Sequence, residues 1–192
     1  LQARKKGMDV YMRLFIAIIL EEEIKDSLVQ TVGRLKGLAK AGTFTDKENL
    51  HITVNFIGET KRLTEVKEAM SRVLGKPDAT QFTLSIDGFG RFKRDDGDIY
   101  WIGVEKDQVL WTIQQELVKE LKEAGFFDID DRDYKPHLTL GRRIKVDKNF
   151  DSKAFGESIQ PMQMRVSKIS LMKSERIEGK LTYTEVYGLG LR

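Results

Sequence analysis

The sequence predicts an α+β fold of two lobes built on one plan, each a small sheet with helices on one face, related by a pseudo-twofold axis across a groove. Three observations lead there. A tetrapeptide of histidine, apolar residue, threonine and apolar residue occurs twice, as His51-Ile52-Thr53-Val54 and His137-Leu138-Thr139-Leu140. The chain has no other histidine among its 192 residues, and only 12 threonines, so the repetition is not a by-product of composition. Shifting the chain over itself by the 86 positions that separate the two motifs also aligns their neighbours.

The elements follow in order. Arg13-Leu14-Phe15-Ile16-Ala17 reads as a leading strand, and Phe15 to Ile18 falls on Trp101-Ile102-Gly103-Val104 in the shifted copy. A helix carrying Ile24, Val32 and Leu35 falls on one carrying Leu110, Val118 and Leu121; the first stops between Gly37 and Gly42, the second at Gly125. Successive side chains of a strand alternate between faces. His51, Thr53 and Asn55 are therefore expected on one face and Ile52, Val54 and Phe56 on the other, with His137, Thr139 and Gly141 backed likewise by Leu138 and Leu140. Pro136 suits the entry to a strand, where a missing backbone donor costs least. A third helix has Leu63, Val66, Met70, Val73 and Leu74 on one stripe and Gly75 at its end. Phe82, Leu84 and Ile86 then alternate with Thr83 and Ser85 as a strand. The second half is looser. A short helix is expected over Ser152 to Glu157, then a strand through Met164, Val166, Ile169 and Leu171, whose phase slip between Val166 and Ile169 reads as a bulge. A last strand, Leu181 to Val186, has no counterpart.

Composition bounds the function. At 40% hydrophobic and 33% charged, the chain is an ordinary globular protein with no signature of disorder. The expectation is a basic tail over residues 1–11, with Arg4-Lys5-Lys6-Gly7, and one bilobal domain over 12–192. With no cysteine there are no disulfides, thiolate metal sites or cysteine nucleophiles, which agrees with a reducing cytoplasm. The longest apolar run, Leu14 to Leu20, is too short to cross a bilayer, and Glu21-Glu22-Glu23 with no small-residue cleavage site argues against a signal peptide. A cytoplasmic monomer without membrane attachment is expected. Net charge of +3 permits an anionic partner without requiring one.

Histidine is the side chain that titrates nearest neutral pH, so a matched pair supplies one proton donor and one acceptor. The threonine two residues on places a hydroxyl on the same strand face as each imidazole, suited to holding an anion's oxygens. Other clusters have plainer readings. Asp128, Asp130, Asp131 and Asp133 lack the glycine and distal glutamate of a calcium loop and read as a solvated loop. Basic groups recur at Arg91, Lys93 and Arg94, at Arg142, Arg143 and Lys145, and at Lys168, Lys173, Arg176 and Lys180. Any of these could steer an anionic partner, though charge runs are usually solvated faces. Phe92, Trp101 and Tyr134 offer rings to stack on a base, with packing the better reading for Trp101. No Walker-type loop is present, which speaks against ATP-dependent ligation.

These motifs, with Asn49-Leu50-His51-Ile52-Thr53 running on to Phe56-Ile57-Gly58-Glu59 and Lys135-Pro136-His137-Leu138-Thr139-Leu140-Gly141-Arg142, resemble the two-histidine phosphoesterase superfamily. Within it, the chain looks like the RNA 2′,3′-cyclic phosphodiesterases, formerly called 2′–5′ RNA ligases, over nearly its whole length from about Met12. The resemblance implies two lobes of mainly antiparallel sheet with helices outside, an active-site cleft between them, and neither metal nor cofactor. It implies His51 as proton donor, His137 as proton acceptor, and Thr53 and Thr139 on phosphate oxygens. Arg142 matches an arginine often found after the second motif, yet strict alternation points Arg143, not Arg142, toward His137. Either the strand bulges at Gly141 or Arg143 is the useful residue; Arg142 is favoured. The implied reaction opens 2′,3′-cyclic phosphate RNA ends to 2′-phosphomonoesters, and its reverse would join ends without ATP. Small cyclic nucleotides or 2′–5′ oligonucleotides are alternative substrates. A non-catalytic RNA-binding module is the alternative from another class.

Overall fold

The computed structural model describes residues 10–192, so the basic tail expected over 1–11 lies outside the described residues up to position 9. The elements in chain order are β1 (Met12–Ile19), α1 (Glu22–Leu38), β2 (Ala39–Phe44), β3 (His51–Thr60), α2 (Leu63–Leu74), β4 (Phe82–Phe92), β5 (Asp98–Val104), α3 (Gln108–Glu123), β6 (His137–Val146), α4 (Ser152–Glu157), β7 (Met162–Val166), β8 (Lys168–Ile177) and β9 (Lys180–Gly190). A 3₁₀ turn over Lys47–Asn49 leads into β3. β2 was not read from the sequence. Its exposed Ala-Lys-Ala-Gly-Thr run carries no apolar alternation, and it exists because it adds to β6.

The strands run in the order β7-β4-β5-β6-β3-β1-β8-β9, with β2 attached to β6, and every recorded pairing is antiparallel. The two histidine strands meet in the middle through a single register pair, Ile52 opposite Leu138, both fully buried. On either side lies a four-strand set: β3, β1, β8 and β9 in one lobe, β6, β5, β4 and β7 in the other. The lobes do not coincide with the halves of the sequence. β4 belongs to the first half but pairs with β5, while β8 belongs to the second half but pairs with β1. The helices trade places as well: α1 packs on β6, whereas α3 packs on β3 and α2. Each lobe is thus completed by its partner half, so neither half buries its apolar face alone.

The phase slip between Val166 and Ile169 is a change of lobe, not a bulge. β7 ends on β4 with Val166 opposite Phe82, and after Ser167 alone the chain enters β8 at the other lobe. Because two residues span no more than about 7 Å, the sheet must curl until its outer strands approach one another there. The chain end closes the same seam: Leu191 N–H donates to Ser167 O at 2.8 Å and Gln81 N–H to Arg192 O at 2.8 Å. The unmatched last strand is β9, the return arm of a hairpin whose two-residue turn, Glu178-Gly179, takes φ of 51° and 79°. Positive φ at both positions suits the right-handed twist of the arms and is least costly at glycine.

The main core fills the space between sheet and helices. It takes Leu14, Ile16 and Ile18 from β1, Ile52 and Val54 from β3, and Leu138 and Leu140 from β6, all buried, against Leu28, Leu35, Leu110, Leu117 and Leu121 of the helices. Each such side chain contributes about 1.5–3 kcal/mol by leaving water. The opposite face of β1 carries a small second cluster of Phe15, Ala17 and Met172. This is the face that the histidines share.

Candidate active site

Both histidine strands slip by one residue at the same place. Opposite β1, Ala17 pairs with Thr53 and Ile16 with Asn55, passing over Val54; opposite β5, Trp101 pairs with Thr139 and Tyr100 with Gly141, passing over Leu140. The two bulges lie 86 positions apart, like the motifs. An extra residue turns all that follows to the other face. Asn55 is therefore not on the His51 face as alternation predicted: it is buried at 4% exposure, and Phe56 takes the open face at 47%. The same slip brings Arg142 into the cavities that hold His51, while Arg143 takes φ 53° beyond it.

The imidazoles are held alike. His51 Nδ1–H donates to Asn49 O at 2.7 Å and His137 Nδ1–H to Lys135 O at 2.8 Å, in each case the carbonyl two residues back. Committing Nδ1 to a carbonyl leaves Nε2 as the working atom of both rings. Aromatic side chains then set the ring planes. His51 lies 4.9 Å from Phe15 and meets Tyr183 edge-on at 5.2 Å; His137 lies 6.3 Å from Trp101 and meets Phe92 edge-on at 5.2 Å. Trp101 is thus packed, as expected, and Gly90 makes the room, since a Cβ there would collide with the indole.

The threonines are anchored crosswise. Tyr134, in the approach to His137, donates its phenol hydrogen to Thr53 O at 2.9 Å. Thr45, in the approach to His51, donates its hydroxyl hydrogen to Thr139 O at 2.8 Å. Thr53 Oγ1 is hydrogen-bonded to His51 Nε2 at 3.0 Å, and Thr53 and Thr139 each border a cavity that His51 also borders. Tyr134 is therefore tied into the scaffold by its hydroxyl, and burial pushes that phenol above its ordinary pKa.

Three adjoining cavities make up the cleft. One of about 530 Å³ is bordered by His137, Thr53 and Phe56; one of about 480 Å³ by His51, Thr53, Phe56 and Arg142; one of about 260 Å³ by His51, Thr139 and Arg142. Each of the five residues singled out from the sequence borders at least one of these cavities; Thr53 and Phe56 are common to the first two and His51 and Arg142 to the last two, while His137 borders only the first. Burial holds the His51 imidazole below its ordinary pKa, and the positive charge of Arg142 and His137 pushes the same way. Arg13 and Arg176 add positive charge on the His51 side, and Glu175 nearby is already paired with Lys173 at 2.5 Å. From the three basic clusters Arg94, Arg142 and Arg176 reach the cleft, while Arg91 is tied to Asp98 and Lys168 to Glu185. In the acidic loop Asp130 pairs with Arg132, which lowers its carboxyl pKa to about 2, and Asp131 pairs with Lys122. Among the described residues no three metal-ligating side chains gather.

Sequence reasoning missed Phe56, Tyr183, Arg13 and the carbonyl locks. One signal was available: the bulge that brings Arg142 inward has its counterpart at Asn55, which would have turned Phe56 inward too.

Several known proteins resemble this chain in sequence or fold. The sequence matches the 2′-5′ RNA ligase superfamily over residues 24–178. The RNA 2′,3′-cyclic phosphodiesterase of Thermotoga maritima is 35% identical over 135 residues, 68% of this chain and 70% of that protein. Its namesake from Methanothermobacter thermautotrophicus is 32% identical over 182 residues, 91% of this chain and 96% of that protein. The crystal structure of E. coli LigT complexed with 3′-AMP superposes with a TM-score of 0.75 at 27% identity, covering 95% of this chain and 99% of that one. At 22% identity, TT0787 of Thermus thermophilus shares the fold with a TM-score of 0.76, over 94% of this chain and 98% of that one. The likeness runs through sequence and fold alike, and along nearly the whole of the described chain; the protein belongs to the 2′-5′ RNA ligase superfamily.

Proposed function

We propose that this protein hydrolyses the 2′,3′-cyclic phosphate ends of RNA to 2′-phosphomonoesters, using its two histidines as acid and base. The observation that carries the reading is the matched pair of imidazoles, each held through Nδ1 by the carbonyl two residues back, with Thr53, Thr139 and Arg142 on the cavities around His51 and Thr53 again on the cavity of His137. The relatives' names and the 3′-AMP bound by E. coli LigT support the substrate class.

Water is a poor nucleophile at neutral pH and an alkoxide a poor leaving group. His137 Nε2 takes a proton from the attacking water as its oxygen bonds to phosphorus. The P–O3′ bond breaks in line, and His51 gives its Nε2 proton to the departing O3′. Each transfer contributes about 10² to 10⁴ in rate. Thr53 and Thr139 hydroxyls donate to the non-bridging oxygens, and Arg142 offsets their charge. The two rings supply both proton transfers, so the reaction calls on neither metal nor nucleotide cofactor. With an RNA 5′-hydroxyl in place of water as the nucleophile, the same displacement forms a 2′–5′ linkage without ATP and leaves a free 3′-hydroxyl. No described helix is long and apolar enough to cross a membrane. A cytoplasmic monomer acting on RNA remains part of the proposal.

The deciding experiment is incubation of 2′,3′-cyclic AMP with the protein in excess EDTA, the product being identified by ³¹P NMR. Release of the 2′-phosphate is expected. Binding without turnover would instead support a recognition module, and turnover only with added metal would remove the two-histidine mechanism.

A further inference from the structure

The 530 Å³ cavity beside His137 contains two groups for which the phosphate chemistry has no use. Asn55 and Gln114 line it at 4% and 3% exposure. Gln114 occupies the buried face of α3 beside Leu110 and Leu117, where an apolar residue is the default. Asn55 Oδ1 is buried and has no hydrogen-bond partner among the described residues. An unmet acceptor of that kind costs an isolated protein about 1–3 kcal/mol, and a ligand bearing N–H groups removes the cost. Gln114 Oε1 accepts from Gln115 Nε2 at 2.6 Å, which leaves Gln114 Nε2 as its donor. The cavity is therefore lined by two buried amides, one of them bearing an unpartnered acceptor, together with two aromatic side chains, Phe56 and Phe92, and the His137 imidazole.

A nucleobase has the matching chemistry. Its edge carries donors and acceptors side by side, which carboxamides read in pairs, and its faces stack on aromatic rings. The bulge at Val54 is what makes the arrangement possible, because it takes Asn55 off the histidine face and puts Phe56 on it. Given the reading of the cleft as a phosphoester site, we propose that this cavity selects the base of the nucleotide whose phosphate lies at His137, with Phe56 and Phe92 against the base and Asn55 and Gln114 reading its edge. The orphaned acceptor favours bases with an exocyclic amine. Adenine and cytosine offer two N–H donors beside a ring-nitrogen acceptor, whereas uracil offers a single donor between two carbonyls.

The test is calorimetric titration with 3′-AMP, 3′-CMP and 3′-UMP, which reads the cavity without relying on turnover. The adenine and cytosine nucleotides are expected to bind about tenfold tighter than the uracil nucleotide, the size of one well-made hydrogen bond. Asn55→Leu and Gln114→Met, which keep the volume and delete the amides, should bring the three dissociation constants within about twofold of one another. Equal affinities in the unaltered protein overturn the proposal, as does a ranking that survives in both variants. Should a variant fail to fold, the other variant and the unaltered protein still decide it. Hydrolysis of 2′,3′-cyclic UMP by the unaltered protein, followed alongside, reports separately on the phosphodiesterase reading: turnover with equal affinities sinks the base site alone, and selective binding without turnover sinks the enzyme reading alone.

Discussion

Tyr134, three residues before one histidine, donates its phenol hydrogen bond to the backbone carbonyl of Thr53, two residues after the other, at 2.9 Å. Thr45 makes the reciprocal link to Thr139 O at 2.8 Å. The approach to each motif thus anchors the threonine of the other. These two hydrogen bonds join the histidine strands beside their one direct pairing, Ile52 with Leu138.

Breaking the first link has a predictable cost. Tyr134→Phe keeps the ring and leaves the Thr53 carbonyl unpaired, so urea unfolding should show a loss of about 1 kcal/mol. Turnover of 2′,3′-cyclic AMP should fall several-fold in kcat with the pH limbs unmoved, because Tyr134 positions a phosphate ligand and carries no transferred proton. Thr45→Val should do the same through Thr139. Normal kcat in both variants would show the crosswise links to be structural only.

Removing either imidazole deletes a proton transfer. His51→Ala and His137→Ala should each lose about 10²- to 10⁴-fold in kcat with near-ultraviolet circular dichroism unchanged. Near-normal turnover by either folded variant takes that residue out of the mechanism.

His51 also links stability to pH. Burial places its folded pKa below the ordinary value of 6.5, so the unfolded chain binds the proton more readily. The stabilisation is complete above 6.5 and is lost as pH falls through the folded value. Between about pH 7.5 and about pH 5 the urea midpoint should therefore drop more for the unaltered protein than for His51→Gln. As donor, His51 sets the basic limb of kcat/KM, which should lie below 6.5; an acidic limb there would reverse the two roles.

Arg142 and Arg143 separate cleanly. Arg142→Ala should raise KM by about 10- to 100-fold, the worth of a hydrogen bond to a charged group, and Arg142→Lys should recover only part of it. Arg143→Gly, which suits the backbone at φ 53°, should leave KM within about twofold. Equal effects of the alanine and glycine variants would mean that the bulge at Leu140 does not decide which guanidinium serves the site.

The first four residues of each motif behave as strand alternation requires: Ile52, Val54, Leu138 and Leu140 enter the core, and His51, Thr53, His137 and Thr139 turn the other way. That much is local, since the pleat of a strand and the apolar pattern along it leave one arrangement that buries the right side chains. The phase beyond residue four was misread for Asn55 and Phe56, because a bulge depends on the neighbouring strand's register and not on the bulged residues' own chemistry. The slip after Val166 was misread for a like reason: a strand that moves to another lobe and a strand that bulges leave the same trace in an apolar pattern.

Residue order alone was enough for the paired motifs, the amphipathic helices, the 86-residue correspondence and the chemistry that two imidazoles with flanking hydroxyls allow, all of which rest on contacts between near neighbours. The exchange of β4 and β8 between halves, the existence of β2, the inward turn of Phe56 and Arg142, and the crosswise holds on Thr53 and Thr139 arose only on folding. They join groups distant along the chain, 81 positions for Tyr134 with Thr53 and 94 for Thr45 with Thr139. No local preference favours one such pairing over another until the core has brought the strands together.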